Sequence, residues 1–293
     1  STPPPGYHGR YLRIDLSTGQ GELVPLAADV LREHLGGSGL GAHLLLAEGV
    51  AACDPLSPSA AIAFVFSPLV GSPITPSAKF AVVSKSPLTG RFNDSLASSG
   101  FAIAGKSCGC DAIVLVGRAR EPSLLMIDDG HVALRPATHM WGTTIPQTEQ
   151  ALRQSYEGEF RWAVIGPAGE QQVRYATISH DGRHAGRGGS GAVLGAKNIK
   201  AMGVRGSQRT AWAHPKQLVQ LAKELSQKSF GPATAKYREL GTAANLLTFN
   251  RFHALPTRNF QQGSFADAAT LSPEQLATTR EKTRATCACC TIG

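Results

Sequence analysis

The sequence predicts an α+β fold, with a β-rich first domain over residues 1–210 and the beginning of an all-α domain over residues 211–293. Three observations predict it. Short β-type runs alternate with glycine punctuation from Tyr11 to about Arg205, helical spacing is sparse over the same stretch, and after Gly206 the apolar residues take up the period of an amphipathic helix. A chain of 293 residues has room for about two domains of ~150 residues.

Strands are expected at residues 11–16, 61–66, 80–84, 112–116, 123–127, 162–165 and 173–179, where β-branched and other apolar side chains crowd between turn-forming residues. Helices are expected at residues 28–34, in a segment through the Gly-rich forties, at 146–156, and in a short piece opening near Gly191. Over 215–228 the apolar positions Leu218, Leu221, Ala222 and Leu225 share one helical face, and Pro215 suits a first turn. A further helix is expected to start with Ser272 as N-cap and Pro273 at its first position.

Composition narrows the class. Apolar residues make up 42% and charged residues 17%, which excludes a disordered chain. The 32 glycines and 18 prolines show no three-residue period, so collagen is excluded and a turn-rich fold is indicated. The longest apolar stretch, residues 60–66, falls far short of the ~18–20 needed to cross a bilayer. Residues 1–7 read as a flexible tail and not a signal peptide, so a reducing cytoplasm is the expected compartment. The balance of 29 basic against 21 acidic residues gives +8, but with no basic run and 6% aromatics, no nucleic-acid partner is expected.

Residues 181–198 carry the most chemistry. Glycines interleaved with Arg183 and Arg187 form either an anion-binding nest of backbone amides or an ordinary tight turn. Gly186, Gly188 and Gly191 satisfy G-x-G-x-x-G, yet the acidic residue a dinucleotide site needs some 20 positions on is missing, since the next carboxylate after Asp181 is Glu224. A nicotinamide oxidoreductase is therefore disfavoured, and Ala196 after Gly195 rules out a Walker loop. The loop at residues 85–90, with Ser95, Ser98, Ser99 and Gly100 beyond it, is either a pocket lining or a hairpin connection. The glycines of residues 35–42 follow a helical pattern and indicate close packing.

Six cysteines are present. Cys287 and Cys290 form C-x-x-C, a spacing that lets two thiolates grip one metal centre. A complete site wants four ligands, so either remote cysteines such as Cys108 and Cys110 join or others lie past Gly293. Cys53 is expected to be a small buried apolar residue, and His34, His180, His184 and His253 have no triad or metal-site spacing, so most of them are expected to be structural.

Together these pieces resemble the aldehyde ferredoxin oxidoreductase family of tungsten enzymes over nearly the whole chain. The resemblance runs through Leu12-Arg-Ile-Asp-Leu-Ser-Thr-Gly19, Asp54-Pro-Leu-Ser-Pro58, Lys85-Ser-Pro-Leu-Thr-Gly90, Gly109-Cys-Asp-Ala-Ile113 and Trp141-Gly142. It continues through Ile165-Gly-Pro-Ala-Gly-Glu170, Ala185-Gly-Arg-Gly-Gly189, Gly195-Ala-Lys-Asn-Ile-Lys-Ala201 and Asn259-Phe, and the order and spacing carry it. It implies a two-sheet base holding two pterins, bridged by Mg2+ between their phosphates and binding tungsten or molybdenum through dithiolenes. A helical remainder would hold a [4Fe-4S] cluster.

The resemblance places Arg183, His184, Gly186 and Arg187 in the pterin-phosphate loop. Lys79 stands where the family commonly has an arginine linking pterin to cluster, Ser98 where a pterin-contacting glycine is usual, and Leu96 where an asparagine carbonyl helps hold magnesium. Cys287 and Cys290 match the first two cluster cysteines. The third would fall one position past Gly293, and Cys289 is an extra thiol not expected to bind. The implied activity is oxidation of an aldehyde to a carboxylic acid, with electrons leaving through the cluster to ferredoxin or an electron-transfer subunit. A homo-oligomer or complex subunit is the implied assembly, and this chain alone is expected to be incomplete and inactive. The departures at Lys79 and Leu96 leave one alternative, a degenerate pterin-domain binding or assembly module without catalysis.

Overall fold

The computed structural model describes residues 2–157, 159–281, 283 and 285–291. The chain forms two compact units, one of residues up to Ser72 with Ser77–Pro215, the other of Pro73–Pro76 with the residues from Lys216 onward.

The first unit contains two six-stranded mixed sheets, so the fold class is α+β. The first sheet comprises β1 (Arg10–Asp15), β2 (Gln20–Pro25), β3 (Ile62–Phe66), β4 (Lys79–Lys85), β5 (Phe92–Ser98) and β6 (Ala112–Val116), in the order β2-β1-β6-β3-β4-β5. The second comprises β7 (Ser123–Asp128), β8 (His131–Pro136), β9 (Arg161–Val164), β10 (Ile178–His180), β11 (Arg183–Ala185) and β12 (Ile199–Arg205), in the order β11-β10-β9-β12-β7-β8. Each has a single parallel pairing, β1 with β6 and β7 with β12. The helices of this unit are α1 (Ala28–His34), α2 (Gly37–Ala47), α3 (Gly100–Ser107), α4 (Ile145–Ser155), α5 (Pro167–Glu170) and α6 (Ser190–Ala196).

The unbroken apolar runs of β3 and β6 follow from burial on both faces. Ile62, Phe64, Phe66, Ile113 and Leu115 point into the core shared with Leu125, Ile127, Ile178, Met202 and Val204 of the second sheet. Their alternates Ala63, Val65, Ala112 and Val114 lie beneath Leu31, Leu40 and Leu44 of α1 and α2. That outer face is alanine-rich, and α2 comes close enough that a Cβ on Gly41 would stand 2.5 Å from Val83, so Gly41 serves packing, whereas Gly37, with φ +51°, has nothing within 4 Å of a Cβ. Phe101 of α3 and Val193 of α6 belong to the core between the sheets, and Leu152 of α4 covers the far side of the second sheet with Val164 and Ala201.

Several segments that carried the family resemblance prove to be buried polar ties. Asp111 accepts hydrogen bonds from the amides of His8 and Gly9 (3.1 and 2.8 Å) and from Lys106 Nζ at 2.9 Å. Glu170 accepts from the Gly142 amide at 2.7 Å and pairs with Lys200, which also donates to the Thr143 carbonyl at 2.8 Å. Lys197, 1% exposed, donates to the carbonyls of Pro58 and Gly117 at 3.2 and 3.0 Å, and burial pushes its pKa down to about 8. Each tie satisfies polar groups that burial would otherwise penalise.

The strand expected at residues 173–179 is largely absent, with only Ile178–His180 pairing. The segment before it turns because it packs on the glycines of α6. A Cβ on Gly189 would stand 2.1 Å from Arg174 O, and one on Gly191 would stand 2.4 Å from Thr177 O.

The second unit contains α7 (Pro215–Ser229), α8 (Pro232–Leu240), α9 (Leu246–Arg251) and α10 (Pro273–Thr279) among its described residues. Ser272 caps α10 as expected, its hydroxyl accepting from the Gln275 amide at 3.2 Å, with Pro273 at the first position. Helix α7 forms where its period indicated, but its apolar face is only partly buried: Ala222 is 5% exposed, Leu221 47%. Arg258, Asn259 and Phe260 are three successive left-handed residues at the tip of a loop closed by the Thr257 amide donating to Gln262 O at 2.9 Å. No helix among the described residues is long and apolar enough to cross a membrane.

Candidate functional site

Two sets of residues are attached to opposite faces of strand β5, an edge strand of the first sheet. The first set is a cross-strand patch. Lys79 on β4 pairs in register with Ser98, and Ala81 pairs with Leu96. Strand alternation puts these four on the side that faces α2 at Val83. Leu96 is 67% exposed, whereas Ser98 is buried and its hydroxyl has no hydrogen-bond partner among the described residues. Such a hydroxyl costs roughly 1–3 kcal/mol until a ligand group satisfies it. The Lys79 ammonium has no hydrogen-bond or ion-pair partner among the described residues.

The second set lies on the glycine-rich loop, and here the sequence reading needs correction. Arg183 and His184 belong to a strand, because Asp181 and Gly182, both with positive φ (47° and 69°), make a two-residue hairpin turn joining β10 to β11. The open loop is confined to residues 186–189. It is clasped onto β5: Asn93 Nδ2 donates to the Arg187 carbonyl at 3.0 Å, and the Arg187 amide donates to Ser95 Oγ at 3.2 Å. Gly188 has φ +74°, and a Cβ there would overlap the Asn93 side chain at 2.0 Å, so only glycine fits. At Gly186 nothing lies nearer than 4.0 Å to the position of a Cβ, leaving the backbone open to a ligand. The Arg187 side chain is exposed with no acidic partner among the described residues, and Arg183 is half-buried.

The fold thus brings Lys79, Leu96 and Ser98 together, and separately Arg183, His184, Gly186 and Arg187, with β5 common to both. The basic side chains of Lys79 and Arg187, an open glycine backbone and an unsatisfied buried hydroxyl suit a polar, anionic ligand such as a pterin phosphate. The loop at residues 86–91 is a hairpin connection between β4 and β5, closed by the Ser86 amide donating to Arg91 O at 2.8 Å. Sequence reasoning singled out Ser95 among the hydroxyls of this stretch but missed Asn93, because the polar run of β5 carries no strand signal.

His180 sits between the two sheets, fully buried, with Nδ1 2.8 Å from Ser99 Oγ and its ring edge-on to Phe80 at 5.0 Å. Ser99 also caps α3, accepting from the Phe101 amide at 3.2 Å. Burial, partly opposed by Asp181, lowers the His180 pKa to about 4, so the imidazole is neutral near pH 7. Its Nε2 has no hydrogen-bond partner among the described residues.

The cysteines divide cleanly. Cys108 and Cys110 are buried in the core of the first unit, where burial pushes Cys108 up to about 12 and raises Cys110 as well, so these thiols stay protonated and pack. Cys53 is half-buried, more open than expected, and donates to the Gly49 carbonyl at 3.6 Å. Cys287 and Cys290 lie half-buried in the second unit, at the ends of a turn closed by the Cys290 amide on Cys287 O at 3.1 Å, with Cys289 exposed. This fits a two-thiolate grip on one metal centre. No group of three or more ligating side chains converges among the described residues.

Comparison with known proteins identifies the family. The family model for the N-terminal domain of aldehyde ferredoxin oxidoreductase matches residues 11–206, and that for its domains 2 and 3 matches residues 218–293. A tungsten-containing aldehyde ferredoxin oxidoreductase from Pyrococcus furiosus is 36% identical over 98% of this chain and 48% of its own length. The WOR-like subunit of an aliphatic sulfonate oxidoreductase from the same organism is 32% identical over 87% of this chain and 43% of its own. Among solved structures, the active-site complex BamBC of benzoyl coenzyme A reductase with 1,5-dienoyl-CoA superimposes with a TM-score of 0.82 at 26% identity, covering 98% of this chain and 46% of that one. The chain therefore spans about half the length of the relatives it matches.

Proposed function

The chain belongs to the aldehyde ferredoxin oxidoreductase family, and from that premise we propose that it provides the pterin-binding base and the first two cluster thiolates of a tungsten oxidoreductase that converts an aldehyde to a carboxylic acid. The observation that carries this reading is the loop at residues 186–189, locked to β5 by Asn93 and Ser95 with the guanidinium of Arg187 left without an acidic partner among the described residues. A rigid backbone bearing an unpaired guanidinium binds phosphate with little ordering cost.

The chemistry belongs to the cofactors: a tungsten or molybdenum bis-pterin would supply the two-electron oxidation and a [4Fe-4S] cluster the one-electron transfer to ferredoxin or a partner subunit. This chain's residues bind and orient. Arg187 and Arg183 neutralise pterin phosphates, and the open backbone at Gly186 allows close approach. Lys79 adds a point charge, without the planar fork that an arginine would present. The buried hydroxyl of Ser98 hydrogen-bonds the pterin. Leu96, on an edge strand, offers a backbone carbonyl to magnesium, which any residue type can do. Cys287 and Cys290 hold iron as thiolates.

The test is elemental and pterin analysis of protein produced with tungstate. The expected result is bound pterin with tungsten or molybdenum plus iron, and for Arg187→Ala at least a tenfold loss of pterin with an unchanged melting temperature. Zinc alone, or pterin content indifferent to Arg187, overturns the assignment.

A further inference from the structure

The turn between Cys287 and Cys290 is bent at a residue that resists the bend. Cys289 has φ 60°, the left-handed region that a side chain with a Cβ disfavours. Besides the turn's own hydrogen bond, two hydroxyls from outside tie this segment down. The Thr75 hydroxyl donates to the carbonyl of Cys289, and Ser229 Oγ, at the end of α7, lies 2.6 Å from Thr291 Oγ1 just after the turn. Thr75 belongs to Pro73–Pro76, the short piece of the N-terminal half that is built into the second unit.

The peptide plane explains how one hydroxyl acts on both cysteines. In a trans peptide the carbonyl and the next amide point in opposite directions from one rigid plane. Pinning the Cys289 carbonyl on Thr75 therefore aims the Cys290 N–H, which donates back to Cys287 O at 3.1 Å and closes the turn. Release of the carbonyl would let Cys289 relax toward right-handed φ and turn Cys290 relative to Cys287.

We propose that Thr75 is a positioning residue for the Cys287 and Cys290 thiolate pair, its hydroxyl holding Cys289 left-handed so that both sulfurs face one metal centre. The inference rests on the reading of these two cysteines as metal ligands. It concerns a residue 214 positions away in sequence that touches no metal itself.

Cadmium is a suitable probe because it binds thiolate pairs and reports them through a sulfur-to-metal charge-transfer band. The full chain is titrated with Cd2+ and the band is read against Cys287→Ser. Thr75→Ser should bind within about twofold of the parent, whereas Thr75→Val, which keeps the shape and loses the donor, should bind about tenfold more weakly, the worth of one hydrogen bond. Cys289→Gly, at ease in the left-handed region, should bind at least as tightly as the parent and restore most of the loss in the Thr75→Val background. Equal binding by Thr75→Val and the parent, or no rescue by Cys289→Gly, overturns the role of Thr75 while leaving the ligand pair standing. A band indifferent to Cys287→Ser overturns the ligand reading itself, and the positioning role with it.

Discussion

The two units of this chain differ in how far their apolar residues are covered. In the first, whole strands disappear from solvent: Ile62 to Phe66 are at most 1% exposed, and the alternation of large residues toward the opposing sheet with small ones toward α2 fills both sides. In the second, the residues buried are small, such as Ala222, Ala244 and Ala268, while Phe249 is 49% exposed, Phe252 72% and Phe260 81%. The contrast teaches that a helical stripe in a sequence reports an intention to pack, not an accomplished core. It also separates two kinds of site. The glycine loop at residues 186–189 rests on a sheet edge, whereas the Cys287–Cys290 turn is tied down by a few hydroxyl contacts.

The comparison can be broken or sharpened by substitution. Phe64→Ala should cost about 3–5 kcal/mol, because it opens a cavity between two packed sheets. A midpoint of urea unfolding close to the parent's would show that the inter-sheet core is looser than described. Glu170→Gln should cost nearly as much, about 3–5 kcal/mol, by leaving the Lys200 ammonium buried without its charge partner. Replacing both by Leu and Met should recover most of that loss, a result that would mark the pair as a device for specificity more than for stability.

His180 predicts a pH effect confined to the first unit. It takes a proton near 6.5 when unfolded but only near 4 in the fold, so between those values the unfolded chain holds more protons. Stability is then whole above pH 6.5 and declines as pH falls toward 4, by at most about 3 kcal/mol at 1.36 kcal/mol per unit. Unfolding midpoints between pH 7 and 4.5 check this, and His180→Phe should flatten that slope. Gly41→Val should cost about 1–3 kcal/mol by forcing α2 away from Val83. At the small end, Phe249→Ala should lie within about 0.5 kcal/mol of the parent. A loss there comparable with that of Phe64→Ala would erase the distinction between the units.

Much of this was legible in the residues. The apolar runs that became β3, β4, β6, β7 and β9 announced themselves, as did the cap at Ser272 and the period of α7. Strands β5 and β8 did not, since Phe92-Asn-Asp-Ser-Leu-Ala-Ser98 is polar along much of its length and owes its conformation to pairing with β4. The Asp181-Gly182 hairpin signal was present but hidden by the glycines after it. Residues 173–177 looked extended and turned out to turn, because the close approach of α6 governs them.

Local chemistry determined which residues could bind anions or metal: the arginines at 183 and 187, the open glycine at 186 and the thiols at 287 and 290 are properties of the chain as written. Only the tertiary structure decided how those groups are held. Asn93 and Ser95 reach Arg187 across more than ninety residues, and Thr75 reaches Cys289 across 214. The reason is physical. Periodicity and turn chemistry act over a few bonds, whereas a hydrogen bond between distant segments exists only after the sheets and helices have brought their backbones together.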